Sequence, residues 1–179
     1  MLTRRTSRGF TLIELLIGLA IFGILITSAL PSFTAWVQNT KIRNAAESVQ
    51  NGLQLARSEA VMRNTNVQFA FGTDSGWTIS VVSTGQDLQV RPAEQGSAGV
   101  TIATSSGASS GGTRVTFNSL GRVTANAGGS ASFDAVTFSA PGVSTAGLVR
   151  PLRVTISAAG RVRMCDPSVP DTDTRTCTI

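Results

Sequence analysis

The sequence predicts an α+β chain in which one long N-terminal helix, membrane-spanning in its first half and amphipathic in its second, packs on antiparallel β-sheet. Three observations carry that expectation. An almost unbroken apolar run extends from Phe10 to Leu30, with Glu14 as its only charge. Beyond it, apolar residues recur every three or four positions as far as Ala60. From Val67 the apolar period drops to two, in short segments that continue towards the C-terminus.

The first run has the length of a bilayer-crossing helix, since about 20 residues at a rise of about 1.5 Å span the hydrocarbon core. A carboxylate inside such a segment costs roughly 2.5 to 3.5 kcal/mol on insertion scales, so Glu14 is expected to have a partner or a purpose. The preceding residues hold Arg4, Arg5 and Arg8 and no acid. Basic residues on that flank keep it cytoplasmic and place the rest of the chain on the other side of the membrane. A secretory signal would carry its small-residue cleavage site after the run. Ser28-Ala29-Leu30 is a poor version of one, and the small residue that stands out is Gly9, before the run.

Pro31 removes one intrahelical hydrogen bond and marks a place where the helix is expected to kink. Beyond it, Ile42, Ala46, Val49, Leu53, Ala56 and Ala60 form one apolar seam, while Lys41, Arg43, Glu47, Gln50, Gln54 and Arg57 occupy the other faces. A seam containing three alanines lets a sheet approach closely. One helix from about Phe10 to Met62 follows, ended by Arg63-Asn64-Thr65-Asn66.

Val67, Phe69 and Phe71 then alternate with polar or small residues, Gly72 to Gly76 turns the chain, and Trp77, Ile79 and Val81 alternate again, which predicts a hairpin with one apolar face. Further strands are expected over 88–91, 100–103, 114–118, 133–139, 148–157 and 161–165. The glycine- and serine-rich stretches 104–113 and 125–132 read as mobile surface loops, because they hold too little apolar area to offset their ordering entropy. Roughly 145 of the 179 residues follow Pro31, enough for one small core.

The whole chain carries a formal charge of +5, and loss of the three leader arginines leaves +2. Global attraction to polyanions is therefore weak, and what matters is where the charges cluster. Cys165 and Cys177 both fall on the side expected to be oxidising, so a disulfide between them is favoured over two free thiols. Catalysis finds little support. With no histidine, Ser-His-Asp triads and histidine metal sites are excluded. Gly107-Ala108-Ser109-Ser110-Gly111 matches a nucleophile-elbow pattern, but it lies in low-complexity sequence without a hydrophobic strand leading into a helix, and no base activates Ser109. Asp166, Asp171 and Asp173 lack the glycine and the distal glutamate of a calcium loop and read as a solvated acidic tail. The chain is expected not to be an enzyme and to need no cofactor.

A binding surface is better supported. Arg150, Arg153, Arg161 and Arg163 fall within fourteen residues that contain no acid. If 148–157 and 161–165 form a hairpin, alternation turns Val154, Ile156, Val162 and Met164 inward and Arg153, Arg161 and Arg163 to the other face. Neighbouring guanidinium groups there form a donor array suited to phosphates. The same residues on an exposed edge hairpin also serve as solubilising groups that discourage strand-to-strand association, or meet a neighbouring subunit. No aromatic residue interleaves with them to stack bases, so any nucleic-acid contact is expected to be weak, salt-dependent and without sequence readout.

Gly9-Phe10-Thr11-Leu12-Ile13-Glu14 after a short basic leader resembles the processing signal of type IV pilins and type II secretion pseudopilins. The segments Leu55 to Asn64, Gly76-Trp77 and Gly160-Arg161-Val162-Arg163-Met164-Cys165-Asp166-Pro167 narrow the resemblance to the GspH/FimT family, in its FimT/FimU-like branch. The chain departs from many relatives in lacking a cysteine in Val67-Gln68-Phe69, and the glycine-rich middle matches nothing in particular. The resemblance implies a type IV pilin-like fold: a leader over 1–9, a hydrophobic transmembrane and assembly helix over 10–33 and a globular domain over 34–179. It implies cleavage between Gly9 and Phe10 by a prepilin peptidase, methylation of the new Phe10 amine, and pairing of Glu14 with a neighbouring subunit's N-terminus. Pro31 resembles the site where a pilin helix loosens in the filament. The expected partners are other minor and major pilins, and the expected location is the bacterial inner membrane, single-pass with a periplasmic C-terminal domain, and then the extracellular pilus.

For function, the resemblance implies a minor pilin acting in assembly at or near the pilus tip. It also associates the Gly-Arg-x-Arg motif with double-stranded DNA captured for natural transformation. Arg161 and Arg163 are then the leading DNA contacts, supported by Arg153 and Arg150. Two other functions stay open, a type II secretion minor pseudopilin that contacts secreted proteins and a purely structural pilus-priming subunit.

Overall fold

The computed structural model describes residues 10–95, 97–107, 109–140 and 147–177; Gly9 and the leader arginines lie outside them. Thr11 opens helix α1 (Leu12–Met62) with a capping box, its side chain accepting the Glu14 N–H while the Glu14 carboxylate accepts the Thr11 N–H at 2.9 Å. The helix passes position 31 without a break. Proline deletes one bond of the ladder, and the turns on either side keep theirs.

The two halves of α1 face different surroundings. From Leu12 to Leu30 every residue is exposed, as a segment made for lipid must be in an isolated chain. Ile42, Ala46, Val49, Leu53, Ala56 and Ala60 are all fully buried. Past Arg63, Asn64 takes a left-handed conformation (φ 50°) that stops the helix.

Ten strands follow: β1 (Val67–Phe71), β2 (Trp77–Val81), β3 (Asp87–Arg91), β4 (Thr101–Ser106), β5 (Ser109–Ser110), β6 (Arg114–Phe117), β7 (Val123–Thr124), β8 (Ala135–Ser139), β9 (Leu152–Ile156) and β10 (Val162–Cys165). They form two antiparallel sheets in the orders β3-β2-β1-β6-β7 and β10-β9-β8-β4-β5. One core joins both sheets to the helical seam. At its centre Phe69 lies 5.4 Å from the ring of Trp77 and 6.3 Å from that of Phe133, pairs worth about 0.5 to 1.5 kcal/mol beyond their area. The indole N–H of Trp77 donates to Ser48 Oγ at 2.9 Å, which ties β2 to the helix and satisfies a buried donor.

The two glycine-rich stretches depart from the mobile loops expected of them. Residues 104–106 continue β4, and Ser109–Ser110 return beside it as β5. In the second stretch Ala127–Gly129 make a short 3-10 turn. The buried Asn126 holds it: its amide donates to the carbonyls of Ser130 and Ala131, both at 3.1 Å, and its oxygen accepts from Thr116 Oγ1 at 2.9 Å. Backbone pairing and one buried amide order these segments where apolar burial does not. The strand expected over 148–157 is shorter, beginning at Leu152, and that over 100–103 shifts to start at Thr101.

Candidate functional site

The four candidate arginines come from β9, β10 and the segments beside them, at one edge of the second sheet. The strands pair antiparallel with Arg163 opposite Thr155 and Cys165 opposite Arg153. Val154 and Ile156 are buried, so the alternate residues Arg153, Thr155 and Arg163 lie on the face away from the core.

The turn between the strands is tight and heavily fastened. Ser157 N–H donates to the Arg161 carbonyl at 3.0 Å, Gly160 N–H to Ser157 at 2.8 Å, and Arg161 N–H to Ser157 Oγ at 3.1 Å. The other sheet grips it as well, because Val123 N–H donates to the Ala158 carbonyl at 3.1 Å. Gly160 has φ 77° and sits against the Gly121 carbonyl, which also accepts from Arg57 Nε at 3.0 Å. The glycine of the Gly-Arg-x-Arg motif is therefore structural: only a residue without Cβ adopts this conformation at this closeness.

The arginines differ in what they already hold. Arg161 is exposed, and its guanidinium has no hydrogen bond or ion pair among the described residues. Arg163 is half-buried, and its Nη2 donates to the carbonyls of Thr174 (3.1 Å) and Thr176 (2.9 Å). Arg153 Nε donates to Thr137 Oγ1 across the sheet at 2.9 Å. Arg150 is exposed, and its backbone N–H donates to Asn39 Oδ1 at 2.9 Å while Asn39 Nδ2 donates to the Leu148 carbonyl at 2.7 Å. One helical asparagine thus clamps the entry to β9 onto α1.

The tail folds back over β10 because Cys165 and Cys177 form a disulfide. Within that loop Asp166 N–H donates to the Arg175 carbonyl at 2.9 Å. Arg175 makes a two-point contact with Asp173, Nε to Oδ1 at 3.1 Å and Nη2 to Oδ2 at 2.8 Å. These hydrogen bonds hold the Asp173 carboxyl down at about 2 and raise the Arg175 guanidinium. Asp166 is buried and accepts the Ser168 N–H at 2.8 Å.

Where the tail, β10 and helix α1 meet, a groove of about 490 Å³ opens, lined by Asn39, Arg43, Arg150, Arg163, Asp166 and Arg175. Arg43 and Arg175 were not among the candidates drawn from the sequence. Arg43 stands more than a hundred residues away on the polar side of the helix, and nothing but the fold brings it here. At the other end of α1, Phe10 and Glu14 lie in the exposed apolar half.

Two family models match the chain. Residues 4–30 match the prokaryotic N-terminal methylation motif, and residues 45–175 match the family of the type II transport protein GspH. Among solved structures, the chain is similar to the type IV minor pilin FimU of Pseudomonas aeruginosa strain PAO1, at 25% identity over 73% of this chain and 92% of that one, with a TM-score of 0.49. It is similar as well to the minor pseudopilin EpsH of the type 2 secretion system of Vibrio cholerae, at 17% identity over 72% and 99% of the two chains and a TM-score of 0.48.

Proposed function

The chain belongs to the GspH family of minor pilins and pseudopilins, and from that premise we propose that it is a minor type IV pilin that joins the filament at or near its tip and holds DNA by its phosphates through the arginines of the β9–β10 hairpin. Its leader is removed between Gly9 and Phe10 by the prepilin peptidase, and the Phe10 amine is methylated. Glu14 then meets the N-terminus of a neighbouring pilin, and Pro31 is where the helix loosens in the filament. Before assembly the apolar half of α1 anchors the chain in the inner membrane, with residues 34–179 on the periplasmic side.

The observation that carries DNA binding is the state of Arg161. It stands exposed, with no partner for its guanidinium among the described residues, on a turn fastened by Ser157, Val123 and Gly121, so a phosphate meets a guanidinium whose backbone is already fixed. Pre-organisation of that kind lowers the ordering cost of binding. Arg163 follows on the same face, about 7 Å along the strand at 3.3 to 3.4 Å per residue. Phosphate contact is independent of base sequence and falls with salt by counterion release.

The test is titration of the full-length protein in non-ionic detergent against labelled double-stranded DNA at several salt concentrations, beside the variant carrying Arg161→Gln and Arg163→Gln. Binding that weakens with salt and collapses in the double variant is the expected result. Binding indifferent to both substitutions, or none, returns the protein to a purely structural role in assembly. The description of the matching family as a type II transport protein favours a second reading, a secretion pseudopilin that contacts exported proteins. Deleting the gene and scoring piliation against protein secretion separates the two.

A further inference from the structure

We propose that the groove between α1 and the disulfide-closed tail is a second phosphate-binding site on the same DNA track, with Arg43, Arg150 and Arg175 as contacts that the closed disulfide holds in place. The inference rests on the DNA-binding reading above and extends it to residues outside the Gly-Arg-x-Arg motif.

Charge is the first argument. Four guanidinium groups, those of Arg43, Arg150, Arg163 and Arg175, line the groove against one carboxylate, Asp166. That carboxylate is buried and turned to the Ser168 N–H, and Asp173 neutralises only Arg175. Arg43 and Arg150 are exposed, with no ion pair among the described residues. The volume of about 490 Å³ admits a phosphate together with its sugar. Guanidinium groups of this number in one concavity suit a phosphodiester better than a single carboxylate.

Construction is the second. Each arm of the groove is held by a separate device. Asn39 pins the backbone at Arg150 to the helix from both sides. The tail presents Arg175 because its carbonyl accepts the Asp166 N–H, one residue from the disulfide. The carbonyls of Thr174 and Thr176, on either side of Arg175, take the two hydrogens of Arg163 Nη2 and leave Nε and Nη1 of that guanidinium for a ligand. One closed loop therefore orients two arginines at once.

Placement is the third. The hairpin turn lies at the level of Arg57, whose Nε donates to the Gly121 carbonyl beneath Gly160, whereas the groove lies at the level of Arg43. Fourteen helical residues separate those levels, about 21 Å at 1.5 Å each. A DNA strand presents a phosphate every 3.4 Å of axis, so a backbone laid along β10 from Arg161 meets Arg163, about 7 Å on, after about two phosphates, and reaches the level of Arg43 after about six. Arg163 thus marks the near end of the groove.

The test uses the full chain in non-ionic detergent with a labelled duplex, following affinity and its salt dependence in three variants. Arg43→Gln with Arg150→Gln removes two exposed side chains and is expected to weaken binding about tenfold or more and to reduce the slope of log K against log salt by about 1.8. Cys165→Ser with Cys177→Ser is expected to weaken binding with Arg161 still in place. Arg161→Gln reports on the hairpin alone. If Arg161→Gln weakens binding while the Arg43/Arg150 variant keeps wild-type affinity and slope, the groove inference is overturned and the DNA reading stands. If the wild-type chain binds no DNA, both fall. Should the cysteine variant fail to fold, the Arg43/Arg150 variant decides the question by itself.

Discussion

Gly160 lies so close to the carbonyl oxygen of Gly121 that a Cβ at position 160 would overlap it. This contact joins the β9–β10 turn to the turn before β7, and with Arg57 it fastens both to the helix. Gly160→Ala adds a steric clash to the strain of a left-handed alanine, an expected loss of about 2 kcal/mol or more. Gly129, with φ 70° and nothing within 4 Å of an added Cβ, carries the strain alone, and Gly129→Ala is expected to cost about 1 kcal/mol. Urea unfolding of the two variants checks the difference.

Ser48→Ala leaves the buried indole N–H of Trp77 without its acceptor. The expected cost is about 1 to 3 kcal/mol, since an unsatisfied buried donor loses its full desolvation energy. Chemical denaturation followed by tryptophan fluorescence measures it.

Opening the tail by Cys165→Ser with Cys177→Ser is expected to cost roughly 3 kcal/mol in the chain-entropy model for a loop of this size. Loss of protection at the Asp166 amide, whose partner is the Arg175 carbonyl, is the local signature to follow by hydrogen exchange.

Asp173 is held at about 2 against an ordinary 3.8, chiefly by its hydrogen bonds from Arg175. A carboxyl whose folded value is depressed favours the folded state fully above its unfolded value. That contribution disappears as the pH falls through about 2. The carboxyl resonance of Asp173 is therefore expected to titrate near pH 2 in the native chain and to return towards the ordinary range in Arg175→Gln. Because the pair is solvent-exposed, global stability is expected to change little over the same interval.

Much of the fold was legible because it rests on apolar periodicity. The seam from Ile42 to Ala60 and the alternation of Val67, Phe69, Phe71, Trp77 and Ile79 state which faces are buried. Strands β5 and β7 were not legible. Ser109 and Ser110 carry no apolar signal, and they are ordered by a backbone approach that Gly111 and Gly112 permit, where a Cβ would meet Ser105 and Ala131. At the candidate site the hairpin and its outward arginines could be read from alternation. What Arg163 and Arg153 hold could not, because Thr174, Thr176 and Thr137 reach them only through the tail and the sheet order. Arg43 and Arg175 were invisible for the same reason.

The chain alternates between its sheets, building β1 to β3 in the first, β4 and β5 in the second, β6 and β7 in the first again, and β8 to β10 in the second. Neither sheet reaches its last hydrogen-bonded neighbour early. A ribosome makes the helical seam first, and the strands β9 and β10 that help to cover it come some hundred residues later. Such dominance of distant pairings slows folding and leaves apolar surface uncovered in the meantime. Truncation before residue 150 therefore removes β9 and β10, and with them the candidate arginines and part of the core that joins the second sheet to the helix. The growing chain gains both only once β10, some hundred residues after the seam, has been made.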